Sequence, residues 1–216
     1  MIKKYKVHIT GWNGFLATKL RQYLTKFPSD VFELTSSTLD YDIYFDLGST
    51  ISTQTPIPKD ICKKINRETI SKIEMYDQIP KNIPIIFGSS TGVLTLYNKD
   101  DESSCYDVCK MMLENWITYF KDSYLILRID NIYSLDISDY SFMKKDRVPS
   151  RVYHNSLTKE DIHQLNIIDT YLETNNFLIE TIFEIEKFIL TRESKVYTYK
   201  NIEELTLLDL IKLLKR

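Results

Sequence analysis

Glycine is scarce in this 216-residue chain, with five in all: Gly11, Gly14, Gly48, Gly88 and Gly92. That is about a third of the ordinary usage of ~7%. Ala17 is the sole alanine. Where Ile, Lys, Asn, Ser and Tyr otherwise fill the sequence, the few small residues mark places that cannot tolerate a side chain. Charge of one sign is lacking too: 28 Lys and Arg against 30 Asp and Glu leave a net charge of −2. The two signs are interspersed, so there is no basic stripe for nucleic acid and no polybasic membrane patch. No apolar run approaches the ~18 residues of a membrane span. Three cysteines, Cys62, Cys105 and Cys109, form no metal-spaced set. Cys105 and Cys109 lie four apart on one predicted helix face, where a metal would need two further ligands. The N-terminal MIKKYKVHIT reads as a first strand rather than a signal peptide, so the thiols are expected to be reduced and the location cytoplasmic. His8, His154 and His163 are scattered, and no metal site is expected.

What is there is concentrated in TGWNGFLATKL, Thr10 to Leu20. It follows the alternating run Tyr5–Ile9 and leads into the helical pattern Phe15, Leu16, Leu20, Tyr23 and Leu24. Gly11, Gly14 and Ala17 have the spacing of a dinucleotide-binding turn: one position for the bend, one for close approach of a pyrophosphate, one for helix against strand. The helix start offers free N–H groups and a positive dipole end to phosphate.

The remaining elements alternate. Val31–Leu34 reads as a second strand, ending in Thr35, Ser36 and Ser37 with neither the acid of an NAD site nor the arginine of an NADP site; Asp40 is a displaced candidate for the acid. Asp42–Leu47 reads as a third strand closing on Gly48 and Ser49. Only about five residues separate it from the second, too few for a helical crossover. A helix over Lys59–Gln78 carries Asn66. The strand Ile83–Phe87 opens into Gly88-Ser89-Ser90-Thr91-Gly92, hydroxyls at the carboxyl end of a buried strand, where open α/β sheets bind ligands. SSCYDVCKMMLENWITYF forms a helix with Tyr106 and Lys110 on one face. Ser123–Ile129 is the next strand, with Asn131 just past it. Residues 134–160 are polar and irregular and read as a flap. A short strand at Ile167–Ile168, a helix over Asn175–Leu190, a strand over Lys195–Tyr199 and a helix over Thr206–Leu214 complete the chain. The pattern predicts a doubly wound parallel sheet, a Rossmann fold. Residues 1–133 would form the NAD(P)-binding core and 134–216 a small substrate lobe, packed together as one compact unit.

SSTGV followed by YDVCK sixteen positions after Ser90, the opening TGWNGFLATKL, the strand end LRIDNIY and the tail KVYTYKNIEELTLLDLIKLLKR together resemble the short-chain dehydrogenase/reductase superfamily. They are most similar to its extended, NAD-dependent epimerase/dehydratase branch acting on nucleotide sugars. The resemblance implies NAD or NADP as cofactor, a nucleotide-sugar substrate and a homodimer through the helices of Asn66 and Tyr106. It assigns Tyr106 as acid/base, Lys110 as its electrostatic partner and nicotinamide-ribose contact, and Ser90 as the hydroxyl holding the substrate oxygen. Hydride transfer to or from a carbinol needs such an acid/base, and an ammonium one turn away favours the phenolate. Expected cofactor contacts are Gly11, Trp12, Asn13, Gly14, Phe15 and Leu16 in the first turn, Ser36 past the second strand, Leu47, Gly48 and Ser49 past the third, and Asn66, Lys110 and Asn131. Thr91 and Asn131 are expected to face the substrate. Dehydratases of this branch carry an Asp-Glu pair after the catalytic hydroxyl, where Thr91 and Gly92 stand here; epimerisation or keto-sugar reduction is therefore expected. The chain is shorter than the usual extended member, and the missing length falls on the second crossover and the substrate lobe. A catalytically inactive dinucleotide-binding regulatory or structural protein of the same fold is the competing expectation.

Overall fold

The computed structural model describes residues 4–48, 57–96, 104–136, 139–140, 148–154, 156–157, 168–199 and 203–214. The chain divides into two compact units, one of Met1–Ile129 and Thr181–Thr198, the other of Asp130–Glu180 and Tyr199–Arg216.

The first unit is built on a six-stranded parallel sheet. Its strands are β1 (Tyr5–Thr10), β2 (Phe32–Thr35), β3 (Ile43–Asp46), β4 (Ile85–Ser90), β5 (Tyr124–Ile129) and a late strand, β8 (Lys195–Thr198). Their order is β2-β1-β3-β4-β5-β8, every pair parallel. The central strands read as apolar runs because both faces are covered: Val7, Ile43, Phe45, Ile85, Ile86, Phe87, Leu125, Ile126 and Leu127 are fully buried. The covering helices are α1 (Phe15–Lys26), α2 (Lys59–Gln78) and α4 (Cys105–Phe120), with the single turn α3 (Gly92–Thr95) after β4. Ala17 is 1% exposed, as its place against the sheet requires.

The direct link from β2 to β3 explains the reduced crossover. Residues 36–42 carry the chain over β1 without a helix. Seven extended residues reach ~23 Å, whereas β2 ends beside His8 and β3 begins beside Val7, a return of about one residue or ~3 Å along the sheet and ~10 Å across it. The link is held to β1 from both sides of one residue, Lys6 N–H donating to Asp42 Oδ2 at 2.8 Å and Asp42 N–H to the Lys6 carbonyl at 2.8 Å. Tyr41 lies on the His8 ring, 5.4 Å between centroids.

β8 joins the sheet beside β5, so Thr181–Thr198 belongs with the core rather than with the lobe to which residues 134–216 were assigned. The ion pair of Lys195 with Glu184 and the bond from Ser29 Oγ to Glu186 Oε1 at 2.5 Å fix this return segment.

The second unit holds a three-stranded sheet, β6 (Asn131–Tyr133), β7 (Ile168–Glu173) and β9 (Glu203–Thr206), in the order β6-β7-β9. β6 and β7 are parallel; β9 runs antiparallel to β7. β9 is followed at once by α7 (Leu207–Leu214), whose start is fixed by Thr206 and Asp209: the Thr206 hydroxyl donates to Asp209 Oδ2 at 2.6 Å and accepts the Asp209 N–H at 3.0 Å. Leu207, Leu210 and Leu214 are its buried side. The polar stretch 134–160 contains α5 (Val148–Tyr153), where Tyr153 stacks on the buried Tyr140 at 4.9 Å. Helix α6 (Thr174–Thr191) is shared between the units along the chain. Among the described residues no helix is long and apolar enough to cross a membrane.

Candidate functional site

The chain runs from β1 out to β2 and then back to β3 on the other side of β1, so the order in which strands are added reverses between β1 and β3, at their carboxyl ends. Such a switch point opens a crevice, and open α/β sheets bind ligands there. Gly11 and Gly48 meet at it. Gly11 has φ +68°, a conformation few side chains adopt, and a Cβ built on it would stand 3.1 Å from both the Cα and the N of Gly48. Gly14 N–H donates to the Gly11 carbonyl at 2.6 Å and closes the turn. Gly11→Ala is therefore expected to destabilise the fold by ~1–3 kcal/mol and to weaken any nucleotide held by the turn, measured by thermal melts and by titration with NADH.

The start of α1 fits an anionic group. Gly14 caps the helix without a side-chain bond and the first turn carries no acid. Its leading N–H groups and positive dipole end thus face outward without a competing carboxylate. Trp12, half-buried in the turn, has the Arg21 guanidinium over its ring at 4.3 Å, and Arg21 Nη2 donates to its carbonyl at 3.1 Å. Asn13 is exposed; Phe15 and Leu16 are half-buried in the first turn of α1. Ser36 stands exposed just past β2. Leu47 lies over β4, its Cδ2 2.8 Å from where a Gly88 Cβ would be. Ser49 lies outside the described residues.

Asp40, the displaced candidate for the ribose acid, stands away from the glycine turn. Its carboxylate pairs with Lys6, second residue of β1, whereas the turn begins past Thr10 at the other end of that strand.

Sequence reading missed the charged cluster that holds Gly48. Asp46 ends β3 and is 1% exposed. Its Oδ1 accepts from the Thr10 hydroxyl at 2.7 Å and from Gly48 N–H at 3.0 Å. Its Oδ2 accepts from Lys72 Nζ at 2.5 Å and from the Tyr76 hydroxyl. Lys72 also donates to the Gly48 carbonyl. Burial alone would raise the Asp46 carboxyl; the Lys72 ammonium, the bonds from Lys72 and Tyr76, and the Lys110 charge outweigh it and hold it below the ordinary carboxylate range. The Tyr76 phenol is pushed well above its ordinary value, first by burial and then by the Asp46 charge. The visible signal was an acid inside the apolar run DIYFDL, with Lys72 and Tyr76 four apart on α2.

Past β4, Ser90 Oγ accepts the Gly92 N–H at 3.0 Å, and Thr91 N–H donates to the Ile129 carbonyl at 3.2 Å. Ser89 has its hydroxyl buried and without a hydrogen-bond partner among the described residues. A Cβ at Gly92 would collide with the Asp107 carboxylate, so the hydroxyl turn and the first turn of α4 lie against each other. That first turn carries Tyr106. Ser104 caps it, accepting the Tyr106 N–H at 3.2 Å. One turn on, Lys110 is 5% exposed, its Nζ donating to the Gly88 carbonyl at 2.6 Å and lying 4.6 Å from the Phe87 ring and 5.6 Å from the Tyr106 ring. Burial lowers the Lys110 pKa against the pull of Asp46, Glu68, Glu114 and Asp107.

Tyr106, Lys110 and Lys72 line one narrow groove of about 20 Å³ between α2 and α4. Asn66 is exposed on α2, where its Oδ1 accepts from Cys109 Sγ at 3.1 Å. Lys72 and Tyr76, rather than Asn66, are the described α2 residues bonded at the strand ends. Asn131 opens β6 in the second unit, its N–H donating to Asp130 Oδ1 at 2.7 Å.

The cysteines differ from expectation. Cys62 of α2 and Cys105 of α4 are joined as a disulfide, their Cα atoms 6.1 Å apart, within the range such a bond spans. Cys109 alone is free and is buried. The pairing also removes Cys105 from any metal set with Cys109.

No protein-family model and no curated protein matches the sequence. Solved structures do match. An NAD-dependent NDP-hexosamine 5,6-dehydratase of tunicamycin biosynthesis superimposes with a TM-score of 0.71 at 15% identity, over 98% of this chain and 80% of that one. The RMD protein of Pseudomonas aeruginosa, solved with NADPH, gives 0.68 at 15% identity over 97% and 82%. A UDP-glucuronic acid 4-epimerase from Bacillus cereus, solved with NAD, gives 0.64 at 16% identity over 97% and 81%. The chain has the fold of these proteins, and the resemblance read in its turn and helix motifs holds at that level.

Proposed function

We propose that this chain is an NAD(P)-dependent epimerase or keto-reductase acting on a nucleotide-linked sugar, with Tyr106 as the acid/base. The observation that carries it is the convergence at the strand ends: a glycine turn with an uncapped helix start beside β1, hydroxyls past β4, and Lys110 of α4 reaching the Gly88 carbonyl. The turn at Gly11–Leu16 would hold the diphosphate, with Gly48 beside it, Ser36 near the adenosine ribose and Lys110 near the nicotinamide ribose. The cofactor, when bound, supplies a hydride acceptor and donor. Ser90 would hold the substrate oxygen, Thr91 and Asn131 the sugar, and Tyr106 the proton moving on or off that oxygen. Dehydration is not proposed, since Thr91 and Gly92 offer no carboxylate directly after Ser90.

The protein would act as a cytoplasmic homodimer. Exposed Ile70 on α2 and Met112, Tyr119 and Phe120 on α4 support pairing through those helices, and light scattering is expected to give twice the chain mass. The second reading, a dinucleotide-binding protein without turnover, is favoured by the pairing of Asp40 with Lys6 and the lack of any acid in Ser36–Leu39.

The test is a fluorescence titration with NADH and NADPH, followed by a UDP- and dTDP-sugar panel with chromatographic product analysis, because epimerisation leaves no net redox change. Micromolar binding of a nucleotide with conversion of a sugar is expected. Binding without conversion of any sugar favours the second reading, and no binding of either nucleotide overturns both.

A further inference from the structure

Gly48 faces Gly11 across the switch point and, as a glycine, has no side chain to anchor it and the widest backbone freedom of any residue. Its peptide groups are held by other residues instead. The Gly48 N–H is shared between Asp46 Oδ1 at 3.0 Å and Thr10 Oγ1 at 3.3 Å, and the Gly48 carbonyl accepts from Lys72 Nζ. Asp46 and Lys72 bond each other at 2.5 Å, and Asp46 Oδ1 also accepts from the hydroxyl of Thr10, the residue before Gly11. One ion pair thus fixes Gly48 at both its N–H and its carbonyl and ties it to the start of the glycine turn. The neighbouring strand repeats the arrangement: Lys110 of α4 donates to the Gly88 carbonyl at 2.6 Å, and a Cβ at Gly88 would lie 3.4 Å from the Asp46 carbonyl. Stability alone does not call for such groups, because apolar side chains of the same volume serve a core as well as a buried ion pair, whose desolvation offsets its attraction. What the ion pair adds is a fixed direction for a glycine peptide at the crevice.

We propose that Asp46 and Lys72 are positioning residues for the dinucleotide: they hold Gly48 in the conformation that the bound nucleotide meets, so that this wall of the crevice is ordered before binding. This rests on the reading of the crevice as the nucleotide site. Neither residue is assigned a contact with the reacting atoms; both act through the Gly48 backbone. A wall residue left free in the unbound protein has to be fixed when the ligand arrives, and fixing one residue's backbone lowers affinity by a factor of about ten. Asp46 and Lys72 remove that penalty in advance.

The experiment uses the full chain and two measurements: fluorescence titration with NADH and NADPH, and hydrogen exchange of the Gly48 amide in the nucleotide-free protein. The deciding variant combines Lys72→Met with Asp46→Asn, which strands no charge and keeps an acceptor for the Gly48 N–H while freeing the Gly48 carbonyl. It is expected to regain most of the melting temperature lost in Lys72→Met, to exchange the Gly48 amide about fivefold faster than wild type and to bind the nucleotide about tenfold more weakly. Lys72→Arg keeps a cation for Asp46 and the Gly48 carbonyl and is expected to hold affinity within about threefold. Ile117→Val, two turns beyond Lys110 on the buried side of α4, must lower Tm and leave affinity unchanged. Wild-type affinity in the double variant, or a Gly48 amide that exchanges there at the wild-type rate, is what a role in stability alone predicts, and either overturns the inference while the nucleotide site stands. If the wild type binds neither nucleotide, the reading of the crevice falls and this inference falls with it.

Discussion

Lys72→Met is expected to lower the stability of the fold by about 3–5 kcal/mol, because it removes one partner of a buried ion pair and leaves the other charged. For a chain of this size that is a fall in Tm of roughly 10 °C. Met keeps most of the volume, so the loss reports on charge rather than on packing. The pH dependence separates this cause from a cavity. In the native protein the Asp46 carboxyl lies below its ordinary value, so its contribution is fully present above the unfolded value of about 4 and is lost as pH falls below that toward the folded-state value. Without Lys72, burial dominates and the carboxyl rises above its unfolded value. The variant then carries a penalty at neutral pH that shrinks as pH falls through the raised value. The gap between wild type and Lys72→Met is thus expected to be widest near pH 7 and to close on acidification; a gap independent of pH would sink the argument. Adding Asp46→Asn to Lys72→Met should recover much of the loss, since an amide oxygen still accepts from Thr10 and the Gly48 N–H while no charge is stranded.

That cluster also marks where sequence reading stops. The first turn was legible because glycine and alanine are so rare here that Gly11, Gly14 and Ala17 could only be placed by steric need, and the positive φ of Gly11 and the burial of Ala17 agree with it. Helix α2 was legible to its ends, Pro58 stopping extension on one side and apolar spacing carrying it to Gln78. Asp46 was read as an ordinary strand residue because nothing local distinguishes a buried acid from an exposed one; its partners lie 26 and 30 positions on, and only topology brings them together. The Cys62–Cys105 pairing, 43 residues apart, was hidden for the same reason. β6 and β9 were missed because three- and four-residue strands have too little alternation to show, and because β9, EELT, is polar and is defined by pairing with β7. Asp40 was misplaced by counting residues past β2, when the link turns back over β1 and carries it to Lys6.

Tyr106→Phe is expected to lower turnover of the sugar substrate by 10²- to 10⁴-fold, about 3–5 kcal/mol of transition-state stabilisation, with NADH affinity unchanged within twofold. The ring stays to fill the groove beside Lys110, the Ser104 cap bonds only the backbone N–H of this residue, and the glycine turn is untouched. Only the proton-carrying oxygen is removed. Lys110→Met should behave differently. Its Nζ bonds the Gly88 carbonyl and lies beside the Tyr106 ring, so its loss leaves a buried carbonyl unsatisfied and removes the cation that favours a phenolate. Lower stability, weaker nucleotide binding and lost turnover are all expected together. The contrast is the discriminating result. An acid/base role predicts that Tyr106→Phe acts on kcat alone while Lys110→Met acts on both kcat and nucleotide affinity. If Tyr106→Phe converts sugar at the wild-type rate, the proton moves through another group, and the half-buried Asp107 lying against Gly92, one residue along the same turn, becomes the residue to replace next.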